Sequence, residues 1–299
     1  MSKPLLTIIT PCLNRAAFIA TAIESVLQQD YPHVEHIIVD GGSTDGTLDV
    51  LRRYPHLVVI SEPDDGLYDA INKGIARAQG TVIGHLNSDD AYMPNVFAAV
   101  IEKFAENPLV DSVCGGVEMT DAHGHTQGVI NDSAIKVLRL WDATIGVPIT
   151  NARFFHRRVY ERAGVYKPQY RIAADREFLL RAWNRGMRTE ALDPLVYRYY
   201  QHEGSLTFNP QASYKARKLP EYMAIARQFM IAPDTRRLLK HACRAWHSWE
   251  AGYQASQCFR ARAFREAWRF MLEGLLWDAG WWWRFPWQLV CRWVSKCHR

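Results

Sequence analysis

The chain has 299 residues, 48% of them hydrophobic, enough for one large domain or a domain with an appendage, and for a substantial core. Its formal net charge of +5, from 36 basic and 31 acidic residues, is too small to make nucleic-acid binding the default reading. The six cysteines form no C-x-x-C pair, which argues against a zinc site or a disulfide framework and fits a reducing cytoplasm, and no apolar stretch reaches the roughly 18 residues of a membrane-spanning helix.

In chain order, MSKPLLTIITPCLN holds an apolar run too short for a signal peptide's core, so secretion is not expected. Leu5 to Thr10 reads as a strand stopped by Pro11. Phe18, Ala22, Ile23, Val26 and Leu27 then recur at helical spacing. The unit repeats: a strand over His36 to Asp40, a helix over Thr44 to Tyr54 opened by Ser/Thr/Asp capping chemistry, and a strand over Leu57 to Ile60. A helix over Leu67 to Ala78 follows, with Leu67, Ile71, Ile75 and Ala78 on one face, then a strand over Thr81 to Leu86. This alternation predicts an α/β fold with a mostly parallel sheet flanked by helices.

In such sheets ligands bind beyond the carboxyl ends of the strands. Four polar clusters follow the four strands: Thr10 to Asn14, Asp40-Gly41-Gly42-Ser43, Glu62-Pro63-Asp64-Asp65-Gly66 and Asn87-Ser88-Asp89-Asp90. All four are expected on one edge. Adjacent carboxylates such as Asp89 and Asp90 repel each other unless a cation or a donor compensates them, and a divalent ion beside a diphosphate is the usual solution. Alone, the pair reads first as a helix cap before Pro94, and its place after a buried strand turns the balance. A dinucleotide-dependent oxidoreductase is disfavoured, because no G-x-G-x-x-G follows the first strand.

The segments TIITPCLN, IIVDGGSTDGT, SEPDDGLYDAINKGIARAQG and LNSDD resemble, in order and rough spacing, the motifs of the family 2 glycosyltransferases, whose fold is the GT-A type. The resemblance runs from about Leu5 to Thr207, and SEPDDGLYDAINKGI is most similar to the bacterial O-antigen and capsule subgroup. It implies a metal-dependent, inverting transfer of a sugar from a nucleoside diphosphate sugar, UDP foremost, to a hydroxyl of a cell-surface saccharide or lipid-linked oligosaccharide. The alternative is a catalytically silent saccharide-assembly subunit that keeps the fold.

Residue by residue, the resemblance implies that Asp40 accepts a hydrogen bond from the nucleobase, since an acceptor-only carboxylate suits a uracil imide N–H. Thr10, Pro11 and Asn14 would line base and ribose, with Asn14 also a loop brace. Asp65, Asn72 and Lys73 would be further base and diphosphate contacts, although Lys73 reads equally as a solvated helix residue. Asp89 would face the ribose or share the metal, and Asp90 would bind Mn2+ or Mg2+. Asn87 stands where the family often has Asp. In RIAADREFLLRAWNRG, Asp175 opens an amphipathic helix whose Phe178, Leu179 and Ala182 face the core, and it matches the catalytic base, with Glu177 a lesser accessory. In RYYQHEGSLT, His202 would ligate the metal or contact the diphosphate, with a surface histidine as the other reading. Thr150-Asn151 occupy a place where related sequences often carry a His.

Composition shifts between Pro210 and Trp246, and the expected domains are 1–212, catalytic, and 213–299, a helical extension. From Glu221 onward 13 basic and 6 acidic residues give the tail its positive charge, and nine of the 11 Trp lie there. Trp281, Trp282, Trp283, Trp287 and Trp293 among Arg284, Arg292 and Lys296 suit a helix at a membrane interface. The expected place is the cytoplasm, at the inner face of the cell membrane.

Overall fold

The structure, a computed structural model, describes residues 3–121, 123–146, 148–202 and 214–278. The chain divides into two compact units, one of residues 1–142 and 147–212, the other of residues 143–146 and 213–299.

The first unit opens with β1 (Leu6–Cys12), α1 (Ile19–Leu27), β2 (Val34–Asp40), α2 (Thr47–Leu51), β3 (Val58–Ser61), α3 (Leu67–Arg77), β4 (Val82–His85) and β5 (Ala91–Tyr92). It continues with α4 (Phe97–Glu106), β6 (Ser112–Thr120), β7 (Thr126–Ile130), α5 (Ser133–Lys136), α6 (Leu140–Thr144), which runs over the division, β8 (Arg153–His156), α7 (Arg158–Ala163), α8 (Ala174–Asn184) and β9 (Thr189–Tyr200). Nine strands form one sheet in the order β3-β2-β1-β4-β8-β6-β9-β5, with β7 paired to β6. The ladders joining β3, β2, β1 and β4 are parallel, as is β6 with β9; β8 runs antiparallel to both β4 and β6. The sheet is mixed, its parallel part lying in the N-terminal half that the alternation marked.

Every residue of β1 is buried, as expected of a strand covered on both faces. In α1 the buried residues are Ile19, Ala22, Ile23 and Val26, while Phe18 and Leu27 are exposed. The buried stripe is thus one residue shorter at each end than the apolar pattern suggested. The expected helix over Thr44 to Tyr54 is a shorter α2, because Gly46 at its N-cap holds φ at 96°, a left-handed conformation that ends the preceding loop there. Gly74 in α3 lets that helix lie on β1, since a Cβ there would stand 2.4 Å from Ile9 Cγ2. The core beneath the sheet joins Leu6, Ile8, Val82, Phe97, Val113, Phe154 and Tyr197.

The second unit contains α9 (Tyr214–Ile231), α10 (Arg237–Arg260) and α11 (Phe264–Trp277). Trp246 of α10 is fully buried, its ring 5.1 Å from that of Tyr222 in α9. Among the described residues no helix is long and apolar enough to cross a membrane.

Candidate active site

Because β1 to β4 are parallel, their carboxyl ends share one edge, and the loops that follow are bonded to one another. The Gly41 N–H donates to Cys12 O at 2.9 Å and the Glu62 N–H to Asp40 O at 3.0 Å, while the Leu86 N–H reaches Ile9 O at 3.0 Å. Gly41 has no side chain to block Asp64, whose Oδ2 lies 2.5 Å from where a Cβ would be.

Asp40, at the end of β2, is fully buried. Its carboxylate accepts from the Gly42 N–H at 3.2 Å, the Ser43 N–H at 3.1 Å, the Ser61 hydroxyl at 2.8 Å and the Ser43 hydroxyl. Burial by itself would raise its pKa, but the hydroxyls of Ser43 and Ser61 and the two backbone donors outweigh it and hold the group below the usual carboxylate range. Asp40 thus organises the Gly41 to Ser43 turn. Asn14, at φ 53°, fastens the first loop to the second: its Oδ1 accepts from the Thr44 N–H at 2.9 Å and its own N–H donates to Ser43 Oγ at 2.8 Å. Thr10 is buried within the sheet with its Oγ1 2.9 Å from His36 Nε2, and Pro11 beside it is buried as well.

Around α3 the expected contacts separate. Asp65 is exposed at the loop tip. Lys73 Nζ donates to Pro63 O at 2.7 Å and lies 2.9 Å from a Glu62 oxygen and 3.6 Å from an Asp69 oxygen, so it braces the loop after β3. Asn72 uses both ends of its amide on one backbone residue: Nδ2 donates to Tyr166 O at 2.8 Å and Oδ1 accepts from the Tyr166 N–H at 3.0 Å. It clamps the segment that leads into α8.

Asp90 is 4% exposed, whereas Asp89 in the same turn is partly exposed, its side chain at 16%. Asp90 Oδ2 accepts from Asn87 Nδ2 at 2.9 Å and Tyr197 Oη at 2.8 Å, and Oδ1 accepts from the Tyr200 N–H at 3.1 Å. Burial, and then the neighbouring Asp89 carboxylate, push its pKa up to about 7 against the pull of those donors. Asp89 Oδ2 lies 3.1 Å from His202 Nε2, and the His202 ring stacks on Phe18 with centroids 4.7 Å apart. No group of three or more His, Cys, Asp or Glu side chains is gathered for a metal among the described residues. The Asp89 carboxylate and His202 imidazole nevertheless supply two adjoining donors, and a hard divalent ion beside a diphosphate commonly takes its remaining positions from phosphate oxygens and water. The donor set is compatible with Mn2+ or Mg2+, and it favours Asp89 over the enclosed Asp90 as the ligand.

Asp175 is the second residue of α8, and Phe178, Leu179 and Ala182 are buried behind it. Its Oδ1 accepts from the Arg176 N–H at 2.7 Å and its Oδ2 from the Thr150 hydroxyl at 3.3 Å. Glu177 points the other way: its side chain is buried between Lys167 and Arg181, each at 2.8 Å, and these cations hold its pKa down although burial alone would raise it. It fixes the helix. His85 is buried between the hydroxyls of Tyr160 and Tyr166, both 3.3 Å from its ring nitrogens, and burial lowers its pKa to about 4.

Tyr197 is the residue that sequence reasoning missed. In the run VYRYY nothing distinguishes it from its aromatic neighbours, yet its hydroxyl accepts from the Asn87 N–H at 3.0 Å and from Asn151 Nδ2 at 3.4 Å while donating to Asp90. Thr150 and Asn151, adjacent in the chain, thereby touch Asp175 on one side and the Asp90 cluster on the other.

A mixed α/β sheet with carboxylates gathered beyond the carboxyl ends of its parallel strands is the architecture of the GT-A fold. Solved structures share this fold. S. aureus TarS in complex with UDP superimposes with a TM-score of 0.63 at 18% identity, over 84% of this chain and 72% of that one. The mannosyltransferase PcManGT from Pyrobaculum calidifontis, in complex with GDP-Man and Mn2+, gives 0.60 at 18% identity over 96% and 85%. The family model described as "Glycosyl transferase family 2" matches residues 7–164. A "PGL/p-HBAD biosynthesis glycosyltransferase" of Mycobacterium bovis is 30% identical over 211 residues, 68% of this chain and 80% of the relative. The chain belongs to glycosyl transferase family 2.

Proposed function

We propose that this chain transfers a sugar with inversion from a UDP-sugar to a hydroxyl of a cell-surface saccharide or lipid-linked oligosaccharide, assisted by Mn2+ or Mg2+. The observation that carries this reading is the pairing of two carboxylate centres through Thr150 and Asn151, with Asp175 on one side and the Asp89-Asp90 turn on the other. Asp175 takes the proton of the acceptor hydroxyl as that oxygen bonds to the anomeric carbon, and the bond from that carbon to the diphosphate oxygen breaks on the opposite face. The ion, when bound, offsets the charge that develops on the departing nucleoside diphosphate. In this reading Asp89 and His202 would hold it, and Asp90 supports the turn from behind. That reverses the expected division of labour, because the Asp90 oxygens are already engaged by Asn87, Tyr197 and Tyr200.

Among the other expected donor contacts, the exposed Asp65 keeps a direct role. Asp40, Thr10, Pro11, Asn14 and Lys73 act on the donor by shaping the loops it meets, whereas Asn72 braces the segment before α8. Uridine is favoured by the motif resemblance and by the UDP complex of a structural neighbour, and a guanosine donor is the competing outcome. Purified protein is to be incubated with UDP-, GDP- and dTDP-sugars in Mn2+, Mg2+ or EDTA, and the product's anomeric configuration read by NMR. UDP-sugar turnover that needs the ion and inverts the linkage is expected. Retention of configuration, or full turnover in EDTA, contradicts the reading.

Membrane contact belongs to the same proposal. The Trp281 to Lys296 segment lies outside the described residues, but α11 supports the idea: Phe264, Trp268, Leu272 and Leu276 recur every fourth residue and are all exposed, near exposed Arg260, Arg262, Arg265 and Arg269. Flotation with vesicles containing phosphatidylglycerol, but not with pure phosphatidylcholine, is expected. Equal recovery with both sinks the electrostatic part of the proposal. An inner-face cytoplasmic location follows from a nucleotide-sugar donor and this tail.

A further inference from the structure

Asp175 sits in the first turn of α8, where a carboxylate can rotate about its own side chain and where its backbone alone does not fix which oxygen faces a substrate. Two donors on different oxygens remove that freedom, Arg176 N–H on Oδ1 and Thr150 Oγ1 on Oδ2. The Thr150 hydroxyl is itself held. Thr150 is 7% exposed, and its carbonyl accepts from the Arg153 N–H at 3.1 Å. The Arg153 side chain, fully buried, donates to Ile149 O at 3.2 Å, Ser112 Oγ at 3.2 Å, Thr189 Oγ1 at 2.7 Å and Lys136 O at 2.8 Å. The Gly115 N–H adds a bond to Ala152 O at 3.0 Å. Moving the 149–153 segment would strip a buried guanidinium of its acceptors, a costly change. The next residue, Asn151, donates to Tyr197 Oη, which in turn donates to Asp90.

We infer that Thr150 and Asn151 are positioning residues that fix the separation between the base and the leaving-group turn, with Thr150 orienting Asp175 and Asn151 orienting Tyr197 and Asp90. The inference rests on the reading of Asp175 as the base. The distance between the attacking oxygen and the departing diphosphate is then set by the protein before either substrate binds, which is how a reacting geometry is held in advance. Thr150 also has an electronic effect, since a hydroxyl donating to a carboxylate favours its ionised, proton-accepting form.

The test compares Thr150→Val, which keeps the shape and removes the donor, with Thr150→Ser, which keeps the donor. In Thr150→Val kcat is expected to fall about tenfold, the worth of one hydrogen bond to a charged group. Donor KM and UDP affinity stay unchanged, and the acid limb of the pH profile of kcat moves to higher pH. Thr150→Ser retains the wild-type kcat and acid limb. On an Asp175→Asn background, Thr150→Val has no further effect on the residual rate. An unmoved acid limb in Thr150→Val, or equal losses in the Val and Ser variants, overturns the inference while leaving the base in place. Wild-type turnover in Asp175→Asn removes the base reading, and the inference with it. Asn151→Leu supplies the second arm: reduced kcat with an unmoved acid limb is expected, and unchanged kcat overturns the Asn151 half.

Discussion

Asp90 makes the apo protein's stability depend on pH in a direction opposite to most carboxylates. Burial and the Asp89 carboxylate raise its pKa from 3.8 to about 7. A carboxyl with a raised folded-state pKa binds its proton more tightly folded than unfolded, so its contribution is fully present below the unfolded value and is lost as pH rises through the folded one. Between pH 3.8 and about 7 the slope is about 1.4 kcal/mol per pH unit, which sums to roughly 4 kcal/mol as an upper bound. The buried, neutral His36 and His85, with pKa values lowered to about 3 and about 4, act in the reverse sense and lose stability as pH falls. The assay therefore takes the difference between wild type and Asp90→Asn in urea unfolding at several pH values from 5 to 8. The variant carries a fixed penalty, because its amide meets the Asn87 and Tyr197 donors, but that penalty does not titrate. The wild-type advantage is expected to shrink by about 2 to 3 kcal/mol from pH 5 to pH 7 and to level off above it. A difference constant to within about 0.5 kcal/mol over that range refutes the reasoning.

Three further substitutions probe the frame around the site. Gly74→Ala would drive a Cβ to 2.4 Å from Ile9 Cγ2, and overpacking of α3 on β1 should cost about 1–3 kcal/mol in urea unfolding, more than the helix propensity gained. Arg181→Met takes one cation from the buried Glu177, with Lys167 still beside it, and should cost about 3 kcal/mol at neutral pH. Because the Glu177 pKa is depressed, that difference is present above its ordinary value of 4.5 and should fade as pH drops through the folded one. Asn72→Leu removes both bonds to the Tyr166 backbone and should cost about 2 kcal/mol of stability, while UDP affinity by calorimetry stays within about twofold. A large loss of UDP affinity without destabilisation would restore Asn72 to the donor contacts.

The parallel half of the sheet was legible because its strands are short apolar runs ending close to Pro11, Asp40, Pro63 and Asn87, although β1 runs through Pro11 to Cys12 rather than stopping at it. That fixed the edge on which the polar clusters gather. What they do there depends on partners far along the chain: Tyr166 lies 94 residues from Asn72, and Tyr197 lies 107 from Asp90. Residue type announces a carboxylate or an amide, not whether its lone pairs are already taken, and Asp40, Asn72 and Asp90 are all taken by the protein itself. Phe18 shares the helical spacing of the buried Ala22 and Val26, but at the start of α1 it stacks on the His202 ring. The antiparallel β8, inserted between β4 and β6, has no local signature, since its place is set by pairing with strands at either side.

Asp175 is where the account is most exposed to contradiction. Asp175→Asn keeps the shape of the side chain and the Arg176 and Thr150 neighbours within reach, so calorimetry should find UDP bound as tightly as by the wild type. Sugar transfer measured on the same preparation should fall to a small residual rate, for want of a group to take the acceptor's proton. Undiminished transfer with unchanged UDP binding would contradict the two-centre site.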